Sequence, residues 1–355
     1  MPVRQITLDR APERIALIKP SALGDIIHSL PVLTALRRRF PAAQIAWIVN
    51  RSYAPLLTNH PDLNEIIPFD RGALKTGFIA GGLSFARFLR DLRKRQFDLV
   101  IDLQGLLRTG LMTLATRAPL RVGLASAREG ASMCYTHRVD DRNGVTHAVD
   151  RYWRVVEAIG ESSHKSFHVP IQADARVWAR EQLQSFPRPW LAVGVGSRWL
   201  TKRWPPEHFA DLARLTHKYF GGTAIFVGAP EESALADQSA ATLAGPVARL
   251  TGKTTLPQLV ALLAECDAMI ANDTGPLHLA VALGRPVVAP YTCTLIEKTG
   301  PFGQSDRAVS TSIWCRGSYL KTCPRMECMA ELTPDRLWPK LEAILRTWQQ
   351  QPHAA

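Results

Sequence analysis

The sequence predicts an α/β protein made of two doubly wound, parallel-sheet domains that face each other across a cleft. Three observations carry that prediction. Continuously apolar, β-branched runs recur along the chain, as strands buried on both faces require. Segments with apolar residues at helical spacing separate them, in the βαβ rhythm of right-handed crossovers. The rhythm breaks once and restarts: "GESSHKSFHVPIQADA" (160–175) is polar and carries a proline, as an inter-domain linker does. A chain of 355 residues also exceeds what one ordinary core organises. The expected domains are 1–165 and 166–340, with a C-terminal helix or tail over 341–355.

In the first half the predicted strands are "RIALIKP" (14–20), "QIAWIVN" (44–50), "EIIPFD" (65–70) and "DLVIDLQ" (98–104). Between the first two, "DIIHSLPVLTALRRRFP" has helical spacing, and Pro41 stops it. In the second half they are "WLAVGVGS" (190–197), "GTAIFVGAP" (222–230), "DAMIANDT" (267–274) and "RPVVAPYT" (285–292). "PPEHFADLARLTHKYF" and "TLPQLVALLAEC" are the helices between them.

Composition narrows the class. A hydrophobic share of 46% with 21% charged residues is that of a soluble globular protein. No run approaches the ~18 apolar residues of a membrane span. The N-terminal "MPVRQITLDRAPER" lacks the apolar core of a secretory signal, so a cytoplasmic protein is expected. The net charge of +12 concentrates in "RRR" (37–39) and "ARFLRDLRKRQ" (86–96). Such runs suit either a solvated helix face or attraction to something anionic, such as a phosphorylated glycolipid or a membrane surface. No nucleic-acid module is recognisable, and nucleic acid is not an expected partner. Of six cysteines, Cys134 and Cys266 stand alone and read as small buried hydrophobes. Cys293, Cys315, Cys323 and Cys328 fall within 36 residues.

Ligands of open parallel sheets collect at the carboxyl ends of the strands. Asp25, Gln104 with Gly105, Ser197, Glu231 with Glu232, and Asp273 with Thr274 and Gly275 all stand there. The first strand leads into "KPSALGDIIHSLP" (19–31), which holds Asp25 and no G-x-G-x-x-G fingerprint. That argues against a nicotinamide dehydrogenase. In "NDTGPLHLAVALGRPVV" (272–288) a strand ends on polar residues and Pro276 falls in the first turn of a helix. The amides of Thr274 and Gly275 would form an anion site there, with Asp273 beside it for sugar hydroxyls. Helix capping is the structural alternative for both aspartates.

These residues resemble glycosyltransferase family 9, the ADP-heptose–lipopolysaccharide heptosyltransferases. The likeness extends to "DLQGLLRTGLM", "RAPLRVGLASAREGASMCYTHRV", "HAVDRYWRVVEAIG", "KRWPPEHFADL", "FVGAPEE" and "LTGKTTLPQLVALL", in family order across roughly residues 14 to 340. The resemblance implies a GT-B fold whose second domain holds the nucleotide-sugar. It also implies inverting transfer of heptose from ADP-L-glycero-D-manno-heptose to a Kdo or heptose acceptor of the lipopolysaccharide inner core. No cofactor is implied for catalysis. The implied place is the cytoplasmic face of the inner membrane, in peripheral association with it.

Carried over residue by residue, the resemblance makes Asp25 the general base and sets Lys202 on the donor phosphates. Ser197 would contact the diphosphate, and the position after it, often a second hydroxyl in the family, is Arg198. Glu232 would hold the ribose and Thr254 lie by the adenine. Asp273 would hold the heptose hydroxyls, with Thr274, Gly275 and His278 completing the donor site. Arg108, Arg121 and Arg128 are the candidates for an anionic acceptor.

The pattern departs from the family in two places. After the last strand, where family members often read G-P-T-D-P, this chain runs "YTCTLIEKTGPFG". In the Cys-rich stretch "WCRGSYLKTCPRMECM" Ser318 stands where a second cysteine often does. Cys293, Cys315, Cys323 and Cys328 are enough for a tetrahedral structural site, zinc or iron, although no C-x-x-C knuckle is present. Buried or free thiols are the alternative. Two other functions stay open: a relative using another acceptor or nucleotide-sugar, and a sugar-nucleotide-binding protein without transfer activity.

Overall fold

The computed structural model describes residues 4–72, 78–142 and 147–351. The chain divides into two compact units, Met1–Pro170 and Ile171–Ala355, and the division falls inside the polar stretch 160–175.

In the first unit the strands are β1 (Arg14–Ile18), β2 (Gln44–Asn50), β3 (Glu65–Phe69), β4 (Leu99–Asp102), β5 (Leu120–Leu124) and β6 (His137–Val139). They form one parallel sheet in the order β3-β2-β1-β4-β5-β6. Register is set centrally, with Leu17 opposite Trp47 on one side and opposite Ile101 on the other. Helices α1 (Leu23–Arg39), α2 (Phe78–Lys94), α3 (Leu107–Ala115) and α4 (Ala148–Ala158) flank it, α1 against α4 and α2 against α3. Alternate strand residues Ala16, Ile18, Ala46, Ile48 and Val100 pack with Leu92 of α2 and Met112 of α3, as the period of two requires.

The second unit repeats the plan with β7 (Trp190–Gly194), β8 (Thr223–Phe226), β9 (Val247–Arg249), β10 (Ala268–Ala271), β11 (Val287–Tyr291) and β12 (Ala308–Ser310). Its parallel order is β12-β11-β10-β7-β8-β9. The helices are α5 (Ala173–Leu183), α6 (Pro206–Phe220), α7 (Ser233–Ala241), α8 (Leu256–Glu265), α9 (Gly275–Ala282), α10 (Ile296–Thr299), α11 (Glu327–Glu331) and α12 (Pro334–Gln349). The last is no loose tail. Its Leu337, Leu341, Ile344 and Leu345 enter the same core as Leu191, Val193, Phe226 and Ile270.

All eight predicted strands form. The structure adds β5, β6, β9 and β12, which are three to five residues long and carry Arg, His, Ser or Gly among their apolar positions. Three of the four lie at sheet edges, where one side needs no apolar partner. Among the described residues no helix is long and apolar enough to cross a membrane.

Candidate active site

In the second unit the strand order reverses between β7 and β10, the place where open sheets form a ligand crevice. Asn272, fully buried at the end of β10, staples this point together. Its Nδ2 donates to the Val195 carbonyl at 2.8 Å and its Oδ1 accepts from the Trp204 amide at 3.1 Å. A buried amide is kept only when so satisfied. The staple fixes the 3-10 turn Leu200–Lys202 against the following residue, Asp273.

Asp273 is the centre of this arrangement. Lys202 Nζ donates to its Oδ2 at 2.6 Å and lies 3.4 Å from its main-chain oxygen. Thr294 Oγ1 (2.8 Å) and Thr299 Oγ1 (3.3 Å) donate to Oδ2 as well. His278 Nε2, one turn into α9, is 3.2 Å from Oδ1, and the Tyr291 hydroxyl is 3.4 Å from it. Burial alone would raise the pKa of this carboxyl. The His278 hydrogen bond and the Lys202 charge outweigh it and hold Asp273 well below the usual carboxylate range. A carboxylate offers about four lone-pair sites, and these donors meet them, so that Asp273 anchors Lys202.

Around this centre the other predicted donor residues are distributed along neighbouring strand ends. Ser197 is buried, its carbonyl accepting from Arg203 Nη2 at 2.9 Å. Thr274 precedes α9, and its hydroxyl turns back to the Asn272 carbonyl at 3.2 Å, so it caps nothing; Gly275 is the first helical residue. Glu232 lies before α7, its Oε2 accepting from the Ala229 amide at 2.9 Å. Its carboxyl fills the space a Cβ would take at Gly196 and Gly228, so both glycines are needed for it to lie there. Burial raises its pKa, with the Ala229 amide working the other way. Thr254 is half-buried in the loop after β9, which the Gly252 amide ties to the Gly228 carbonyl at 2.9 Å. Lys202, Asp273 and His278 are thus in direct contact, and Glu232 reaches the backbone beside Ser197.

In the first unit the order reverses between β1 and β4. Lys19, just past β1, is buried there, with Nζ donating to the Leu103 carbonyl at 3.0 Å and to the Tyr152 hydroxyl at 2.8 Å. That hydroxyl donates in turn to Asp25 Oδ1 at 2.9 Å, and Lys19 Nζ is 3.8 Å from the same oxygen. Asp25 Oδ2 accepts the Ala22 amide at 3.2 Å, closing the first turn of α1. Capping and site geometry are therefore not alternatives here, since each uses one oxygen. The Asp25 side chain is 41% exposed. Burial lowers the pKa of Lys19 and raises that of Tyr152, the latter helped by the Asp25 charge.

The three acceptor arginines part ways. Arg108, at the start of α3 after β4, and Arg128, on the loop after β5, are exposed, and the Arg128 amide joins the two segments by donating to the Gly105 carbonyl at 2.8 Å. Arg121 instead donates from Nε to the Cys134 carbonyl at 2.9 Å and from Nη1 to the Ala118 carbonyl at 2.7 Å, which commits it to the backbone.

The four cysteines do line one cavity of about 250 Å³, shared with Ile313, Trp314 and Leu320. Among the described residues no group of three or more Cys, His, Asp or Glu could hold an ion, so the expected structural metal is unsupported. The segment acts as a brace instead. The Leu320 carbonyl accepts from Thr201, the Thr201 carbonyl accepts from Thr292, and the Tyr319 amide donates to the Cys293 carbonyl at 2.9 Å.

Sequence reasoning missed Lys19, Tyr152, Asn272, Tyr291, Thr294 and Thr299. The last three come from "YTCTLIEKTGPFG", the loop that departs from the family pattern. Its clustered hydroxyls beside a predicted strand end were the available signal.

With this geometry in hand, comparisons with known proteins agree on one family. The family model described as glycosyltransferase family 9 (heptosyltransferase) matches residues 85–329. The lipopolysaccharide heptosyltransferase 1 of Pseudomonas aeruginosa is 29% identical over 355 residues, covering 94% of this chain and 98% of that protein. The lipopolysaccharide core heptosyltransferase OpsX of Haemophilus influenzae is 28% identical, covering 84% and 85%. Among solved structures, the E. coli ADP-heptose lps heptosyltransferase II superposes with a TM-score of 0.74 at 25% identity, covering 95% of this chain and 99% of that one.

Proposed function

The chain belongs to glycosyltransferase family 9, the heptosyltransferases, and on that premise we propose that it moves heptose from ADP-heptose to the lipopolysaccharide inner core. It is a glycosyltransferase of the GT-B class, and each of its two units is a doubly wound parallel sheet. The observation that carries the donor half is the Lys202–Asp273 pair at the switch point of the second sheet, at the entry to α9.

The second unit takes the donor. Lys202 and the N-terminus of α9 meet the diphosphate, a point charge and a dipole where anionic charge grows as ADP leaves. Ser197, Thr274 and Gly275 border the same anion, His278 supports it through Asp273, and Glu232 and Thr254 take the ribose and adenine side. The first unit takes the acceptor, with Arg108 and Arg128 as contacts for its phosphates or carboxylates. As the acceptor oxygen attacks the anomeric carbon, its proton passes to Asp25, the bond from that carbon to ADP breaks, and configuration inverts. No cofactor enters these steps. Because the acceptor is borne on lipid, peripheral association with the cytoplasmic face of the inner membrane belongs to the same reading, and the net charge of +12 supports it.

The test is ADP release in the presence of ADP-heptose with and without Kdo-bearing core acceptors. Release that requires an acceptor and yields a heptosylated product is expected. Acceptor-independent hydrolysis, or no ADP at all, would overturn the reading.

A further inference from the structure

We propose that the outer face of α2 and α3 in the first unit, with the adjoining turn Ala131–Cys134, is the surface that docks on an anionic lipid bilayer. The proposal rests on the membrane part of the reading above and names the residues that would carry it out.

Helix α2 has two faces. Phe85, Phe88, Leu89 and Leu92 turn into the core beneath the sheet. On the opposite side Ile79, Leu83, Arg87, Arg90 and Lys94 follow one another at spacings of three or four, which puts them on one exposed stripe. Its first half is apolar, Ile79 being 77% and Leu83 65% exposed, and its second half is basic. On α3, packed beside it, Leu107, Leu111 and Leu114 form a second exposed stripe by the same spacing. Met133, in the turn packed on α3, is also exposed.

Exposed leucines scattered singly need no explanation. Here, among the described residues of the first unit, every large hydrophobic side chain that is exposed lies on these two helices and this turn. A concentration of that kind marks an interaction surface. Charge selects the partner. Arg87, Arg90, Arg93 and Lys94 stand on α2 against Asp91 alone. Apolar side chains beside a basic run suit a lipid surface bearing negative headgroups, with the hydrocarbon taking Ile79 and Leu83 and the phosphates taking the arginines. Arg108, an acceptor contact in the proposed function, stands on α3 among its exposed leucines. A lipid-borne acceptor would then be met at the level where its headgroup leaves the bilayer.

The experiment is co-sedimentation of the full chain with vesicles of phosphatidylethanolamine and phosphatidylglycerol, compared with phosphatidylcholine alone. Variants are Ile79→Ser/Leu83→Ser and Arg87→Gln/Arg90→Gln, all exposed and outside the proposed catalytic groups. Wild type should bind the anionic vesicles, and each pair should lower binding about tenfold or more. Turnover of a short-chain, water-soluble acceptor should stay unchanged in both. Variants that bind like wild type would overturn this surface while leaving membrane association intact. Absence of wild-type binding would overturn both and leave heptose transfer to the soluble acceptor as a separate result. Equal binding to phosphatidylcholine would remove the role of charge and with it the proposal. Self-association in solution that the Ile79/Leu83 variant abolishes, without any vesicle binding, would make the face an interface between copies.

Discussion

Two aspartates flank the switch points of the two units, on opposite sides of them, and are held in opposite ways. Asp25 follows β1 and Asp273 follows β10, each flanking the point where its sheet reverses order and each at the entry of a helix. The side chain of Asp273 is 4% exposed and receives donors from Lys202, His278, Tyr291, Thr294 and Thr299. Asp25 gives one oxygen to the Ala22 amide and the other to Tyr152, and is 41% exposed. Exposure separates the two: a buried carboxylate held by an ammonium fixes its neighbours, whereas one that reaches solvent can exchange a proton. Asp102 is a third case, with no exposed surface and with the Gln104 and Gly105 amides and the Tyr135 hydroxyl donating to it.

The sharpest way to break the comparison is Asp25→Asn. The amide keeps the shape and an oxygen for the cap but cannot take the proton, so transfer should fall by about 10²–10⁴-fold while ADP-heptose affinity holds. Steady-state turnover with a separate donor-binding measurement checks this. Near-normal turnover would place the base elsewhere.

Next in size is Lys202→Ala. Donor affinity and turnover should both drop, by about a hundredfold in turnover, because the cation at the diphosphate is gone. Stability should fall too, by about 3 kcal/mol, since removing one partner leaves a buried charge uncompensated. The pH dependence gives its sign. The folded pKa of Asp273 is depressed, so the pair stabilises the protein fully above the unfolded carboxyl value and loses that contribution as the pH falls toward strong acid. The variant should lack it already at neutral pH, as urea unfolding at several pH values would read. Wild-type stability with lowered activity would confine Lys202 to the ligand.

The smallest expected effect is at Tyr152→Phe. The Tyr152 hydroxyl donates to Asp25 Oδ1 and holds that carboxylate in place. Without it turnover should fall, by less than in Asp25→Asn, while donor affinity holds, as steady-state kinetics and a donor-binding measurement would read. Unchanged turnover would leave Tyr152 no part in positioning Asp25.

Much of this could be read before folding. The strands that became β1, β2, β4, β7 and β10 announced themselves because central strands are buried on both faces and admit only apolar residues. Asp25 and Asp273 were visible as polar residues past such runs, and Lys202 through the family resemblance of its segment. The short strands β5, β6, β9 and β12 were not, since brief pairing beside an edge tolerates arginine, histidine, serine and glycine. Nor was the thiol cluster a guide to metal, because four cysteines close in sequence can line one cavity without converging on a point.

By itself the sequence determined where the chain would be strand and helix at each sheet's centre, and which corners would carry charge, because those features depend on local period and on the few residues directly after each strand. Only the tertiary structure decided what each charged residue does. Lys19 meets Tyr152 across 133 positions, Tyr152 meets Asp25 across 127, and Lys202 meets Asp273 across 71. Proton affinity and reach depend on such contacts, on burial and on how many donors arrive, and none of these is encoded in the spacing of residues along the chain.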